Sequence, residues 1–369
     1  MSQIINVVGG GVVGLWVAVE AVRRGHKVRL FEQFKIGHDK GSSHGDTRIF
    51  RSAYWEGSEY VKLAKQSNVM WKWLGSLTSE PIISLMGGYY IGNKNSSLIS
   101  GVTSSANQHS LPINTLDPSF LIFDKDTIAL EEQLAGVIYA SSAMSTLKNF
   151  CLENNVEVNE NTIFHERYAK DGVTVYCKGP WFSESPFFAK ILESDRVYCH
   201  WFKHDASTKL FEKAFLIQGQ DNRVIYGMPE SKDIIKVGWH NYPIIPMLPG
   251  ISESVSPDKF IKDIQEALSY ITSKKLDFIK SKGCYFTNSL DENYIVDAIG
   301  DNKWVIAGLS GHGFKFAPAL ASGMLDAIEV NHIPKHLEFF SLKRFENKNI
   351  IPRTHIKEDD LMLGESWKV

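Results

Sequence analysis

The stretch "IINVVGGGVVGLWVAVEAVRRGHKVRLFE", residues 4–32, decides the fold. An apolar start breaks at a glycine run, helical periodicity carries from Val13 to Arg24, Gly25 stops it, and Val28 to Glu32 is again strand-like. This is a βαβ unit. Gly9, Gly11 and Gly14 fit G-x-G-x-x-G between strand and helix, and Glu32 closes the second strand. The glycines permit a tight turn and close backbone approach to a pyrophosphate at the helix N-terminus, and the Glu32 carboxylate can accept hydrogen bonds from a ribose hydroxyl pair. The pattern points to a dinucleotide and leaves FAD and NAD both open.

The chain has 369 residues, enough for two domains and a sizeable core. Lys and Arg number 40 against 42 Asp and Glu, so the net charge of -2 gives no general attraction to nucleic acid or to an acidic membrane surface. Any positive site is local. Cys151, Cys177, Cys199 and Cys284 show no C-x-x-C pair and no zinc-like spacing, so neither disulfides nor a metal are expected, and a reducing compartment is. The apolar N-terminus, Ile4 to Val22, is interrupted by Gly9, Gly10, Gly11, Gly14 and Glu20, and fits neither a membrane span nor a cleaved signal peptide. A cytoplasmic protein with no nucleic-acid or membrane partner is expected.

Beyond the βαβ unit, residues 33–60 read as loop, rich in Gly, Ser, His and Arg. A helix is predicted over Tyr60–Leu74, with Val61, Leu63, Ala64, Val69 and Trp73 on its buried face. Residues 82–92 alternate as strands do, a helix spans Ser141–Asn154, and "VEV" at 156–158 is a short return strand. Between Val197 and His240 lie several β-patterned runs, of which "RVIYGMP" and "IIKVGWH" form a hairpin around "ESKD". Residues 257–273 are an amphipathic helix with proline at its start. A strand "KWVIAGL", the turn "SGHG" and the helix "FAPALASGMLDAIEV" then return the chain to the first domain.

Two further stretches carry charge or paired acids. In "GSSHGDTRIFRSAYWEGSEY", residues 41–60, Arg48 and Arg51 lie three apart and would share one face of a helical turn, with His44 four before Arg48. Two guanidiniums offer planar paired donors that match a carboxylate, although solvated surface arginines are the plain alternative. In "LDENY", Asp291 and Glu292 are adjacent on an extended chain and point to opposite sides, so they are not read as an acid–base pair.

"GSSHGDTRIFRSAYWEGSEY" resembles the corresponding region of the monomeric sarcosine oxidase and N-methyltryptophan oxidase family of flavin-dependent amine oxidases, within the D-amino acid oxidase superfamily. "CYFTNSLDENYIVD" (284–297) resembles its covalent-flavin segment and "AGLSGHGFKFAP" (307–318) its flavin and substrate-carboxylate segment. The resemblance implies FAD, joined through a thioether to Cys284. It implies that Arg51 and Lys315 hold a substrate carboxylate, that Arg48 sits close to the flavin ring, and that Ser42, His44, Gly311, Gly313, Phe314 and Lys315 join Gly9, Gly11, Gly14 and Glu32 in the cofactor site. Lys236, on the predicted strand Ile234–Trp239, matches the oxygen-activating lysine; Tyr226, His240 and His312 match walls of the substrate pocket. Between "VEV" and "GPWFSE" the chain has fewer residues than the family pattern, which implies a lost or shortened hairpin around 159–181, with "VTVYCKGPW" supplying the last nucleotide-domain strand.

The fold expected is α/β and α+β, a Rossmann-like FAD-binding domain (residues 1–80, 130–185 and 285–345) interleaved with a β-sheet-rich substrate domain (81–129 and 186–284), followed by a tail at 346–369. The function implied is oxidation of a secondary amine of an N-methyl amino acid, such as N-methyltryptophan or sarcosine, to an imine, with oxygen reduced to hydrogen peroxide by a monomeric enzyme. A fructosyl-amino-acid or cyclic imino acid oxidase, an NAD-dependent dehydrogenase and a non-catalytic flavin-binding protein are the alternatives.

Overall fold

Strand β1 (Ile4–Val8) and helix α1 (Val12–Arg23) cross at the glycine turn because side chains are missing where they meet. A Cβ on Gly14 would lie 1.8 Å from the Gly9 carbonyl oxygen, and Gly9 itself, at φ +109°, faces the Cys177 carbonyl, which a Cβ would approach to 2.4 Å. Gly25, at φ +82°, ends the helix and turns the chain into β2 (Lys27–Phe31). The structure is a computed structural model that describes residues 2–117, 121–122, 125–169, 171–240, 245–250 and 256–346. The expected tail beyond Glu346 lies outside the described residues.

In chain order the further strands are β3 (Thr47–Phe50), β4 (Ile83–Ser84), β5 (Gly88–Asn93), β6 (Ile113–Leu116), β7 (Thr127–Glu132), β8 (Gly136–Tyr139) and β9 (Glu157–Asn159). They continue as β10 (Val173–Tyr176), β11 (Leu192–Lys203), β12 (Ala214–Gln218), β13 (Val224–Ser231), β14 (Ile234–Trp239) and β15 (Ile245–Pro246), and end with β16 (Asp277–Ser289), β17 (Ile295–Gly300) and β18 (Lys303–Ala307). Helices α2 (Glu59–Gly75), α3 (Ser97–His109), α4 (Ala140–Glu153), α5 (Asp258–Thr272) and α6 (Ala317–Val330) complete the regular elements.

Three sheets result. The first runs β17-β18-β10-β1-β2-β9 and is parallel except for the edge pair β17–β18. Its central strands are buried, and α1, α4 and α6 pack together beside it around Trp16, Leu147 and Leu320. The second, of nine strands, is antiparallel apart from the pair β5–β12, and β16 joins it through β11. Helix α5 lays Phe260, Ile264, Leu268 and Ile271 toward the protein interior, the last three in one core with Phe202, Ile235 and Val237. Each such side chain contributes about 1.5–3 kcal/mol when fully buried. The third sheet, β3-β8-β4, is small and antiparallel.

The structure corrects two readings and adds an element. Arg48 lies in the strand β3 and Arg51 just beyond it, so the two do not share a helical turn; β3 pairs with β8, far along the chain, and nothing local announces it. Val69 is 68% exposed, and Met70, Trp71 and Leu74 take the core positions of α2, with Trp73 half-buried against Trp16. Helix α3 is an addition. Its serine-rich sequence masks it, yet Ser96 caps it by accepting the Ile99 N–H, and Gly101 leaves room for the Trp55 backbone.

Gly14→Ala tests the crossing of α1 on β1. A methyl group placed against a backbone carbonyl cannot be relieved by a rotamer change, so the variant is expected to lose about 3 kcal/mol or more, read as a lowered midpoint in thermal or urea unfolding.

Candidate active site

One continuous cavity of about 620 Å³ opens between the glycine turn and the nine-stranded sheet, and every expected site residue except Gly14 lines it. Gly14 serves the helix–strand crossing instead.

At the nucleotide end the Gly10 N–H donates to Glu32 Oε2 at 2.7 Å and the Phe34 N–H to Oε1 at 2.8 Å, with His38 Nε2 3.4 Å from the same oxygen. Burial opposes ionisation of Glu32, but these donors outweigh it and hold the carboxyl below its ordinary range. It is therefore an anion that retains acceptor capacity toward hydroxyls. Ser43, which the sequence did not single out, accepts the Val12 N–H at 3.0 Å and so fixes the start of α1, whose positive dipole end faces the cavity. Trp181 and His38, in edge contact with each other at 6.0 Å between ring centres, stand beside them on the wall.

At the far end Arg48 is tied entirely to carbonyls: Nη1 donates to Thr47 O (2.8 Å), and Nη2 to Ser42 O (2.9 Å) and His44 O (2.6 Å). The Ser42 hydroxyl donates to Tyr285 O at 2.7 Å, which binds this loop to the strand of Cys284. Burial, followed by the nearby charges of Arg48 and Lys282, pushes His44 down to about 3, so its imidazole is neutral. Neither ring nitrogen of His44 has a hydrogen-bond partner among the described residues. A buried, unpartnered imidazole on the wall of a basic chamber fits a polar ring system there. Burial raises the Cys284 thiol, with Arg48 opposing.

Lys236 leaves β14 toward the same space. It is 3% exposed, donates to Thr47 O at 2.9 Å and stands 5.2 Å from the Trp201 ring centre; burial and then Arg48 lower its pKa. Tyr226 reaches across to Cys199 Sγ at 3.3 Å, and its ring passes over Gly238, where a Cβ would meet the hydroxyl at 2.6 Å. Trp201 and Cys199 are additions to the site. They alternate with His200 along β11, but a cavity-facing and a core-facing strand position read alike in sequence.

Arg51 is not open to ligand in this arrangement. Its guanidinium pairs in parallel with Glu56, Nη1 to Oε2 at 2.8 Å and Nη2 to Oε1, and His240 Nε2 lies 4.0 Å from Oε1. Burial works against the Glu56 anion, yet Arg51 holds it down at about 2. Behind them Glu132, fully buried and with its pKa raised by that burial, accepts Ser52 N–H (2.7 Å), Ala53 N–H (3.1 Å) and the Tyr90 hydroxyl (2.5 Å), and so pins the segment that carries Arg51. No periodicity marks Glu56 or Glu132 in the sequence.

Gly311, at φ +76°, lets the turn before α6 pass the Phe286 ring, and the residues from Gly308 to Lys315 form the remaining wall. Lys315, buried and lowered well below its ordinary pKa by that burial and by Arg51, donates to His312 O (2.9 Å) and Tyr54 Oη (3.3 Å). His312 lines the cavity but is occupied: Nδ1 faces the hydroxyls of Tyr54 (2.6 Å) and Tyr294 (2.7 Å), and Nε2 faces Glu292 O at 3.3 Å. The imidazole is a structural hub rather than an open acid or base. The ends together offer a nucleotide cradle and, within the same space, buried cations that can receive a carboxylate.

N-methyl-L-tryptophan oxidase of Salmonella dublin is 29% identical over 374 residues, covering 94% of this chain and all of the relative. The enzyme of the same name from Yersinia pestis is 28% identical over 376 residues with the same coverage. Among solved structures, L-proline dehydrogenase from P. horikoshii superposes with a TM-score of 0.77 at 17% identity, over 94% of this chain and 98% of that one, a likeness of fold. The family described as DAO, FAD dependent oxidoreductase, matches residues 5–326. That match spans both the glycine cradle and the turn that carries Lys315, and the chain belongs to this family of FAD-dependent oxidoreductases.

Proposed function

We propose that this protein oxidises the secondary amine of N-methyl amino acids to an imine and yields hydrogen peroxide. The observation that carries the reading is the placement of Arg51 and Lys315, two buried cations, in the cavity that begins at the glycine cradle and holds Cys284 and Lys236. The relatives named N-methyl-L-tryptophan oxidase support the substrate class.

When bound, FAD supplies the two-electron acceptor that the side chains lack. Gly9, Gly11 and the N-terminus of α1 would receive its pyrophosphate and Glu32 a ribose; Ser42, His44 and the turn Gly311–Phe314 would hold its ring end. Cys284, which lines the same cavity, would be the point of covalent attachment. Arg48, held by three carbonyls and no carboxylate, favours negative charge on the ring beside it. Arg51 and Lys315 clamp the substrate carboxylate and orient the carbon next to nitrogen, which supplies proximity rather than acid–base chemistry. Substrate carboxylate and Glu56 compete for the same guanidinium, so binding includes release of Glu56. Ile49, Leu216 and Met228 offer an apolar wall with no carboxylate, suited to a hydrophobic side chain. His240 and Tyr226 form its polar edge. Lys236, 3% exposed and lining the same cavity, is placed to stabilise charge developing on oxygen.

Three outcomes test this. Anaerobic addition of N-methyltryptophan is expected to bleach the visible absorbance of the holoenzyme; bleaching by a fructosyl amino acid or pipecolate instead would reassign the substrate, and bleaching by none of them would remove the proposed substrate class. FAD is expected to stay with wild-type protein on acid denaturation and to leave the Cys284→Ala variant, measured as flavin in the supernatant. Arg51→Met is expected to raise KM for a carboxylate-bearing amine about a hundredfold or more, while leaving an amine without a carboxylate within about threefold.

A further inference from the structure

Tyr54 touches both cations of the clamp. Its ring centre lies 3.9 Å from the Arg51 guanidinium carbon and 5.2 Å from Lys315 Nζ, and its hydroxyl is 3.3 Å from that ammonium. The ring is fully buried, so both contacts are made out of water.

The direction of its hydroxyl is fixed from outside the cavity. Glu292, at φ +59°, turns its carbonyl toward His312 Nε2 at 3.3 Å. A carbonyl only accepts, so Nε2 carries the ring proton and Nδ1 presents a lone pair. An ammonium only donates. Tyr54, between the two, therefore donates its O–H to Nδ1 at 2.6 Å and turns its oxygen lone pairs to Lys315. The Tyr294 hydroxyl, also near Nδ1, has an acceptor of its own in His312 O at 3.1 Å.

Lys315 depends on this arrangement because both of its acceptors are neutral oxygens, Tyr54 Oη and His312 O. Around it stand Arg51 and Glu56 from the segment after β3, Tyr60 and the Trp71 indole from α2, His240 after β14, and Tyr294 and His312 from the two turns flanking β17 and β18. Only Glu56 among these is an anion, and it is committed to Arg51. Burial and Arg51 both press Lys315 toward the neutral amine, which binds no carboxylate. An oxygen acceptor held at Nζ opposes them.

We propose that Tyr54 is a positioning residue that spaces the two cations of the carboxylate site and keeps Lys315 charged, its hydroxyl oriented by the fixed tautomer of His312. This rests on the reading of Arg51 and Lys315 as the carboxylate clamp. Tyr54→Phe keeps the ring under Arg51 and removes the hydroxyl that accepts from Lys315 and donates to His312 Nδ1, where the Tyr294 hydroxyl remains at 2.7 Å.

The test is benzoate, an inert carboxylate, titrated into holoenzyme across a pH series and followed by perturbation of the flavin absorbance. Wild-type affinity falls as pH rises through the Lys315 pKa, since the ammonium is the binding form. In Tyr54→Phe the dissociation constant is expected to rise about tenfold, with the fall-off moved to lower pH, while kcat at saturating substrate stays within about threefold. Tyr294→Phe, which removes a neighbour of Tyr54 and His312 but no acceptor of Lys315, is expected to retain the wild-type midpoint. Wild-type benzoate binding and pH dependence in Tyr54→Phe, or an equal shift in Tyr294→Phe, would overturn the proposal. Lys315→Met separates the two readings: binding lost there but unchanged in Tyr54→Phe removes the positioning role alone, and binding unchanged in both removes the clamp and the positioning role together.

Discussion

The register between β11 and β16 is the constraint on which the site depends. Over twelve residues, from Leu192 opposite Ser289 to Lys203 opposite Asp277, the two strands pair antiparallel, with one irregularity at Trp201/Phe202. Val197 faces Cys284 and Cys199 faces Lys282, and all four line the cavity. A slip of one residue would turn Cys284 to the opposite face. The ladder is fastened at its Ser289 end to the turn that carries His312 and Lys315: Ser310 N–H donates to Thr287 O at 2.9 Å, and Ser289 N–H to Ser310 Oγ at 3.3 Å. That turn follows β18, which pairs with β10, which pairs with β1, at whose end stands Gly9. Backbone registers thus run unbroken from the nucleotide cradle to Cys284, and the geometry needs no flexible side chain to set it.

Within that frame the charges are arranged unevenly. Arg48, Lys236 and Lys315 are bonded to carbonyls and a hydroxyl rather than to carboxylates. Removing an ion from water costs several kcal/mol, which neutral acceptors offset only in part. An incoming anion restores part of what burial removed. Glu56 is the exception, since it already occupies Arg51 with the fork geometry that a substrate carboxylate would use. A net charge near zero conceals this arrangement, because composition does not say which charges are paired.

What could be read from the sequence was local. The βαβ unit, the hairpin β13–β14 and helix α5 each declare themselves within one period of their own side chains, and the structure has them where expected. Strand β3 is four residues long and pairs with residues 136–139, so the spacing of Arg48 and Arg51 suggested a helix that tertiary pairing overrode. Val69 fell on the apolar stripe by count, but α2 turns its other flank, Met70, Trp71 and Leu74, into the core. Glu56, Glu132 and Tyr54 gave no signal because their meaning lies in partners far away or on the other side of a turn. A buried carboxylate is recognised by its donors, and those are backbone N–H groups and a tyrosine on another strand.

The short connection between β9 and β10 completes the nucleotide sheet with no hairpin among its described residues. Thirteen residues separate the strands, and the chain must cross from the edge of the sheet, past β2 and β1, and return along one strand length. Three strand spacings are about 14 Å and a return of five residues about 17 Å, well inside the roughly 43 Å that thirteen residues can span. Neither a hairpin nor a helix is required for β10 to pair parallel with β1. The connection is held by aromatic packing: Phe164 and Tyr168 lie on Phe31, at 5.2 and 5.7 Å between ring centres, and Glu166 accepts the Tyr176 hydroxyl and pairs with Lys303. Gly172, at φ +88°, lets the chain pass the Ile4 carbonyl, which a Cβ would approach to 2.1 Å. Residues Thr162 to Glu166 then stand on the cavity wall themselves, in a loop anchored by Asn161 N–H to Phe34 O and Thr162 N–H to Glu32 O. The loop is thereby fastened to the backbone of Glu32, whose carboxylate accepts the Gly10 N–H of the glycine turn, which couples the short connection to that turn.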